Sequence, residues 1–132
     1  MKGSGDSGLW AENGLSFLCK DMTFTQCGWS GVRAFNTKGR LINCVITQCG
    51  GSGISCGWNA LIELEGHQTK VDGNVTSGNS YHSGLLTCNT SSVIHLLFPL
   101  TKESVSTNNH NGQNYNISDG GTIETVHTLA PL

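Results

Sequence analysis

Apolar and polar residues alternate along short stretches of the chain, and each stretch is bounded by Gly, Ser or Asn. In four places a Ser-Gly pair precedes an aliphatic residue, and a small residue follows two positions later. The aliphatic residues are Leu9, Val32, Ile54 and Leu85, and the small residues are Ala11, Ala34, Cys56 and Thr87. Alternation with period two is typical of a β-strand with one buried face. We therefore expect these residues to form two inward-facing rows.

The Ser-Gly pairs mark an internal repeat of roughly 22 residues, the length of one turn of a repeat protein. Units open at Ser7, Ser30, Ser52 and Ser83, and a weaker fifth unit opens near residues 115–119. The string Thr-Gln-Cys-Gly-x-Ser-Gly occurs at residues 25–31 and again at 47–53. Such a match indicates an internal duplication.

The same alignment predicts further stacked rows. A third inward row should contain Phe24, Ile46, Val75 and Val105, with Cys44 beside it in the core. Because Asn tolerates left-handed backbone, the residues that close the opening segments should form an asparagine ladder at one turn. These residues are Asn13, Asn36, Asn59 and Asn89.

A unit of this length fits three short strands and three turns, and helical apolar spacing is missing. We expect an all-β fold, a right-handed single-stranded parallel β-helix of about four to five coils, stacked about 4.8 Å apart. Residues 1–132 should form one such domain, or a piece of a longer solenoid. The repeats are clear over residues 7–115, and residues 116–132 are a weak coil, a cap or a tail.

The coil length, the aliphatic row and the Asn positions resemble the right-handed β-helix repeats of the pectate-lyase-like (pectin lyase fold) superfamily. The resemblance implies a polysaccharide groove on the outer face of one strand stack. The catalytic strings of polygalacturonases and pectate lyases do not recur. The chain contains Asn36-Thr37-Lys38 rather than the Asn-Thr-Asp string of polygalacturonases, and no paired carboxylates are evident. We therefore expect a protein that is not an enzyme of these types.

Composition narrows the partners and leaves the compartment open. The net charge is −2 with charged residues at 12%, so a cationic surface for nucleic acid is not expected. No apolar run approaches a membrane-spanning helix, and no signal peptide is visible at Met1. A fragment of a longer protein would still be compatible with an extracellular or cell-surface location. The six Cys residues could form three disulfides, but the repeat favours buried thiols.

Two insertions supply the first candidate site. They lengthen the third unit around residues 77–82 and the fourth around residues 108–115, at the same place in the repeat. They should therefore be neighbours and bring together Tyr81, His82, His110 and Tyr115. Aromatic rings among amides suit sugar recognition, because rings stack on apolar sugar faces and amides bond to hydroxyl groups. An ordinary polar loop or a contact with another chain would have the same composition.

Trp10 and Arg33 form the second candidate set, since both should face outward on one strand stack. Asp21, Asn43 and Asp72 should stack on another face, but their spacing does not support a calcium site, so no cofactor is expected. Thr25, Thr47 and Thr76 should stack beside them, as on ice-binding solenoids.

Several function classes remain open from the sequence. The leading hypothesis is a non-catalytic β-helix module that binds carbohydrate or another surface partner. The alternatives are a polysaccharide-active enzyme or a fragment of one, a structural solenoid that self-associates through its exposed ends, and an ice-binding solenoid.

Overall fold

The structure of the protein, a computed structural model, describes residues 6–89, 91–118 and 120–131. Within these residues the backbone forms fourteen short strands. They are β1 (Leu9–Glu12), β2 (Phe17–Lys20), β3 (Thr23–Thr25), β4 (Val32–Phe35), β5 (Lys38–Ile42), β6 (Val45–Thr47), β7 (Ile54–Gly57), β8 (Leu61–Glu65), β9 (Lys70–Asp72), β10 (Leu85–Thr87), β11 (Val93–Leu97), β12 (Ser106–Thr107), β13 (Tyr115–Ile117) and β14 (Thr122–Val126). One short helix, α1, spans Lys102–Val105, and a 3₁₀ turn spans His110–Gly112.

The strands form three parallel sheets, in which each strand pairs with a strand of the neighbouring repeat unit. The first sheet has the order β1-β4-β7-β10-β13, the second β2-β5-β8-β11-β14 and the third β3-β6-β9-β12. The predicted all-β class with parallel strand pairing is confirmed. The weak fifth unit also contributes a strand, since Tyr115 pairs with Leu85. Asp119, at the end of that predicted unit, lies outside the described residues.

The two inward rows predicted for the first sheet are confirmed. Val32 pairs with Ile54 and Ile54 with Leu85, and all three side chains are fully buried. The neighbouring row contains Ala11, Ala34, Cys56 and Thr87 in register. Side chains from all three sheets then meet in one apolar cluster. Each fully buried Leu or Ile in it contributes roughly 1.5–3 kcal/mol to folding.

The row predicted for the third sheet is correct in its first half and wrong in its second. Phe24 pairs with Ile46, but the row continues with Val71 and Ser106. Val75 instead lies in a turn with a φ of 62°, and Val105 is the last residue of α1. Both are still buried, so their apolar character has a different structural cause.

The error comes from a repeat that preserves backbone conformation rather than residue type. The true equivalents of the two Thr-Gln-Cys strings are Asp72-Gly73-Asn74 and Thr107-Asn108-Asn109. In all four strings the middle residue is left-handed, with φ values of 56°, 58°, 68° and 54° for Gln26, Gln48, Gly73 and Asn108. The row predicted for the third sheet therefore places the residues of the third unit four positions too far along the chain, at Val75 instead of Val71.

Two predicted outward rows are wrong for the same reason. Asp72 pairs with Thr47, so it does not stack with Asp21 and Asn43. In the third unit the position equivalent to Asp21 and Asn43 is occupied by Gly66, which is also left-handed. Thr76 does not continue the row of Thr25 and Thr47, because Asp72 interrupts it. Neither a regular Thr array nor a column of Asp side chains is therefore formed by these residues.

The predicted asparagine ladder is only partly correct. Trp58, rather than Asn59, occupies the position equivalent to Asn13 and Asn36 in the third unit, because Phe35 pairs with Gly57. The backbone N–H of Trp58 donates to Asn89 Oδ1 at 2.7 Å. The side chains of Asn13, Asn36 and Asn59 are exposed. These asparagines serve mainly as left-handed turn residues, with φ values of 56°, 50° and 65°.

A buried asparagine ladder does exist, at the turn that follows the third sheet. Asn74 accepts a hydrogen bond from the amide of Cys49 at 3.1 Å and donates to the carbonyl of Ile46 at 3.0 Å. Its own amide donates to the Oδ1 of Asn109 at 2.8 Å. Both side chains are almost fully buried. They satisfy backbone groups that the turn would otherwise leave without partners in the core.

The second sheet carries a buried ion pair on its outer face. Arg40 Nη2 lies 3.0 Å from Glu63 Oε1, and Glu63 is 1% exposed. The guanidinium also donates to the carbonyl of Ala130, so the C-terminal residues lie across this face. His127 stacks on Phe98 with ring centroids 4.9 Å apart. Among the residues described after β14, Ala130 therefore contacts the charged pair and His127 packs on Phe98.

All six cysteines lie in the described part of the chain and are thiols rather than disulfides. Five are buried, and Cys88 is partly exposed. Burial raises the pKa of Cys49 and of Cys56 to about 12. The expectation of buried thiols is confirmed, and Cys44 lies in the core as predicted.

Replacing Asn74 with Ala should destabilise the protein, because the amide of Cys49 and the carbonyl of Ile46 would lose a buried partner. We expect a loss of about 2–6 kcal/mol in the free energy of unfolding, from roughly 1–3 kcal/mol for each of the two orphaned groups. Urea unfolding followed by circular dichroism measures it. The control is Asn36→Gly, since its side chain is exposed and Gly accepts the left-handed backbone. Equal losses in the two variants would contradict the buried ladder.

Candidate binding groove

A groove of about 470 Å³ lies on the outer face of the first sheet. Its floor follows two rows of outward side chains, because alternate residues of a strand point to opposite faces. In one row Arg33 pairs with Ser55, Ser55 with Leu86 and Leu86 with Asn116. The other floor residues are Phe35, Cys88 and Ser118. We refer to this hollow as the outer groove.

The wall of the outer groove is the insertion at residues 77–82, between β9 and β10. Two bonds tie its beginning to the preceding unit: the amide of Ser77 donates to the carbonyl of Gly50 at 3.2 Å, and its hydroxyl to the same carbonyl at 2.7 Å. Gly78 supplies the tight bend with a φ of 75°. The amide of Tyr81 donates to Asn79 Oδ1 at 2.8 Å, so this local turn sets the position of the phenol ring. Tyr81 is 82% exposed.

The end of the wall is fastened by His82, which is 8% exposed. His82 Nδ1 lies 3.0 Å from Ser52 Oγ and 3.2 Å from the backbone nitrogen of Ser52. The imidazole meets Trp29 edge to face, with ring centroids 4.5 Å apart. Burial, and secondarily the charge of Arg33, lower the pKa of His82 below its ordinary value of 6.5. The imidazole is therefore neutral at neutral pH.

Arg33 is held between two aromatic rings on the floor. Its guanidinium carbon lies 4.7 Å from the ring centroid of Trp10 and 4.8 Å from that of Phe35. Such contacts stabilise an exposed cation by about 0.5–1 kcal/mol each and restrict its orientation. None of the ion pairs among the described residues involves Arg33. Among the described residues, the positive charge of Arg33 in the outer groove therefore has no ion-pair partner.

The structure brings together three of the six residues predicted as ligand contacts, namely Arg33, Tyr81 and His82, all in the lining of the outer groove. Trp10 borders this set through its contact with Arg33. His110 lies next to the wall, with Nε2 3.4 Å from the position that a side-chain carbon on Gly78 would take. The two insertions are therefore neighbours, as expected.

The prediction that Tyr115 belongs to that loop cluster is wrong. Tyr115 begins β13, in the row of Leu85, and its hydroxyl lies 3.4 Å from Glu103. Lys102 sits over its ring at 5.2 Å. Because a strand in the fifth unit starts at this residue, the aromatic ring is directed to α1 rather than to the outer groove.

Sequence reasoning missed most of the polar floor. Ser55 and Asn116 line the outer groove, yet each looked like an ordinary outward strand residue. Trp29 lies at a turn, where strand alternation assigns no side, yet it lines the outer groove and contacts His82. The available signal was the alternation within each strand, which places residues 33, 55, 86 and 116 in one outward row.

The residues described do not include three or more His, Cys, Asp or Glu side chains grouped so that they could hold a metal ion. The same residues contain no helix that is long and apolar enough to cross a membrane. The described lining of the outer groove offers hydroxyl, amide and imidazole groups, aromatic rings and the guanidinium of Arg33.

Comparisons of the chain with protein-family models, with curated proteins and with solved structures give no match.

The chemistry of Cys88 offers a direct check of the groove. It is the partly exposed cysteine and lies on the groove floor, while the five buried thiols include two with a pKa of about 12. We expect iodoacetamide at mildly alkaline pH to modify Cys88 at least tenfold faster than any other cysteine, because the thiolate is the reactive form. Mass spectrometry of proteolytic peptides measures this order. Faster modification of Cys49 or Cys56 would contradict the described packing.

Proposed function

We propose that the chain is a right-handed parallel β-helix whose outer groove binds carbohydrate, with a preference for sugars that carry an acidic group. The fold part of the proposal is supported by the order of the three sheets, since each strand pairs with the strand three places later. A crossover between parallel strands of one sheet is right-handed in nearly all proteins. The repeat pattern also resembles that of the pectate-lyase-like superfamily.

The observation that carries the binding proposal is the composition of the outer groove. Tyr81, Trp29 and Phe35 offer ring faces or edges, and Ser55 and Asn116 offer a hydroxyl and an amide. Pockets that bind small ligands combine a mainly apolar lining with a few polar groups that fix orientation. A sugar ring presents the complementary surface, with C–H groups on one face and hydroxyl groups at its edge.

Arg33 supports the preference for acidic sugars. Its guanidinium is oriented by two rings and has no carboxylate partner among the described residues. Guanidinium groups bind carboxylates and sulfates through two parallel hydrogen bonds. A uronate carboxylate or a sugar sulfate over the floor would supply the missing negative charge.

Binding is favoured over hydrolysis by the same lining. The described residues of the outer groove include no Asp or Glu, whereas most glycoside hydrolases use a pair of carboxylic side chains. Ice binding is disfavoured because Asp72 interrupts the Thr row. A structural solenoid remains the competing class, and its signature would be self-association through the end strands.

The test is a glycan-array screen of the purified, folded chain, with and without calcium, including matched neutral and acidic oligosaccharides. We expect acidic glycans to bind in both conditions, because the proposed recognition uses Arg33 rather than a metal ion. A clean negative on a protein shown to be rich in β-structure, together with self-association in sedimentation, would favour the structural alternative instead.

Replacing Arg33 with Met should weaken acidic ligands ten- to hundredfold, because a charge-assisted hydrogen bond contributes roughly 1.5–3 kcal/mol. The dependence of affinity on salt should decrease at the same time. Calorimetric titration at two salt concentrations measures both effects. The matched control is Lys20→Met, which changes the net charge equally on an exposed residue of the second sheet. Equal weakening by the two variants would indicate a general charge effect and contradict a site at Arg33.

Replacing Tyr81 with Ala should weaken the same ligands roughly tenfold, the usual effect of removing an aromatic anchor. Trp58→Ala is the matched control, because Trp58 is 66% exposed and lies outside the groove lining. We expect the affinity of that variant to stay within about twofold of wild type. Wild-type affinity in the Tyr81 variant would exclude the wall from the binding site.

A further inference from the structure

The contact between His82 and Ser52 fixes the protonation state of the imidazole. Nδ1 faces two donors of one residue, the backbone N–H of Ser52 at 3.2 Å and its hydroxyl at 3.0 Å. A backbone N–H can only donate, so Nδ1 must be the accepting nitrogen and the ring proton must be on Nε2. The Ser52 hydroxyl in turn accepts from the amide of Ser83 at 3.2 Å. The three residues therefore form one directed chain of hydrogen bonds.

These hydrogen bonds hold the wall, which carries Tyr81, against the body of the protein. His82 is the last residue of the insertion, and Ser83 follows it. Their partner Ser52 precedes β7 and is fully buried. Gln113 reinforces the same segment by donating to the carbonyls of His82 at 2.7 Å and Asn79 at 3.2 Å. Tyr81 has no comparable burial, so its position depends on these attachments at its neighbours.

We propose that the His82–Ser52 contact is a pH-sensitive latch that positions the wall of the outer groove. Proton binding at Nδ1 would remove the acceptor and place two N–H groups against each other. The imidazole would then leave Ser52, and residues 77–82 would lose their fixed position. Weaker ligand binding at acidic pH would follow, and this last consequence rests on the proposed carbohydrate function.

The described surroundings of His82 oppose its protonation. Arg33 on β4 is the charged side chain that acts on the ring, and its positive charge disfavours an imidazolium. The other titratable side chains described in the groove lining or against its wall are those of Tyr81, Cys88 and His110. No carboxylate is found among the described residues that line this groove.

The direction of the pH effect follows from the lowered pKa. A released imidazole takes up its proton near the ordinary pKa of 6.5, whereas the latched ring resists protonation. The latch is therefore fully effective above about pH 6.5 and weakens as the pH falls from there towards the lowered pKa. Over that range the ratio of open to latched molecules should rise up to about tenfold per pH unit.

The experiment uses nuclear magnetic resonance of the intact chain without any ligand. Above pH 6.5 the long-range proton–nitrogen spectrum should show His82 as the Nε2–H tautomer. As the pH falls towards about 5, the protection of the Tyr81 and Ser83 amides against hydrogen exchange should decrease up to about tenfold per unit, after correction for intrinsic exchange. The buried amide of Ile54 in β7 is the internal reference and should keep its protection.

The matched variant is His82→Asn, because the Oδ1 of Asn can replace Nδ1 as the acceptor from Ser52 and does not titrate. We expect this variant to keep the wall protected from neutral to acidic pH. Any of three results would overturn the latch. They are an Nδ1–H tautomer in wild type, amide protection in wild type that does not change with pH, and an equal loss of protection at acidic pH in the Asn variant. If the variant does not fold, the tautomer and the pH profile of wild type still decide the question. Since no ligand is involved, a failed glycan screen would refute the proposed function without affecting this result.

Discussion

The structure depends on the register in which each strand pairs with its equivalent in the neighbouring unit. Within a strand the pairing register cannot shift, since a slip by one residue would turn every inward side chain outward. Val32, Ile54 and Leu85 therefore stack in one row although 22 or 31 residues separate their units. Any additional residues in a unit must be accommodated at a turn, where the chain runs over the surface and added length costs little.

The outer groove follows from this constraint. The third unit is longer than the first two, and its additional residues emerge between β9 and β10 as the wall at 77–82. The floor beside the wall is already determined, because outward side chains of successive units must stack as strictly as inward ones. Arg33, Ser55 and Asn116 are therefore presented in one row by the backbone itself. The proposed binding site therefore combines a floor fixed by strand register with a wall held by its own contacts, and the proposed pH response acts on the wall.

Much of the fold could be predicted from the sequence, because the first sheet combines Ser-Gly pairs with aliphatic residues at a constant offset. The second half of the third sheet could not be predicted, because its turns share a left-handed conformation rather than a residue type. Gln26, Gly73 and Asn108 all adopt that conformation. Residue identity at those turns is free to vary, and so the alignment of Val75 and Val105 was wrong. The second sheet shows the same limit, because the burial of Glu63 depends on Arg40 and on residue 130, far apart in the chain.

The candidate site was predictable to the extent that it depends on the repeat. The insertion containing Tyr81 and His82 was evident as added length, and Arg33 as an outward strand residue. The attachment of His82 to Ser52 has no sequence signature, because a histidine in a polar loop is equally compatible with an exposed side chain. Tyr115 was misplaced because a strand in the fifth unit begins at that residue, after a loop rich in Asn.

We propose that the ligand binds in the outer groove and on no other face. The most direct measurement is an amide chemical-shift titration of the labelled protein with an acidic oligosaccharide. We expect the largest chemical-shift changes at the amides of Arg33, Ser55, Leu86 and Tyr81. The amide shifts of the second sheet around Leu41 and Leu64 should stay unchanged. Saturable changes centred on the second sheet or on the end strands, with the groove amides unaffected, would contradict it.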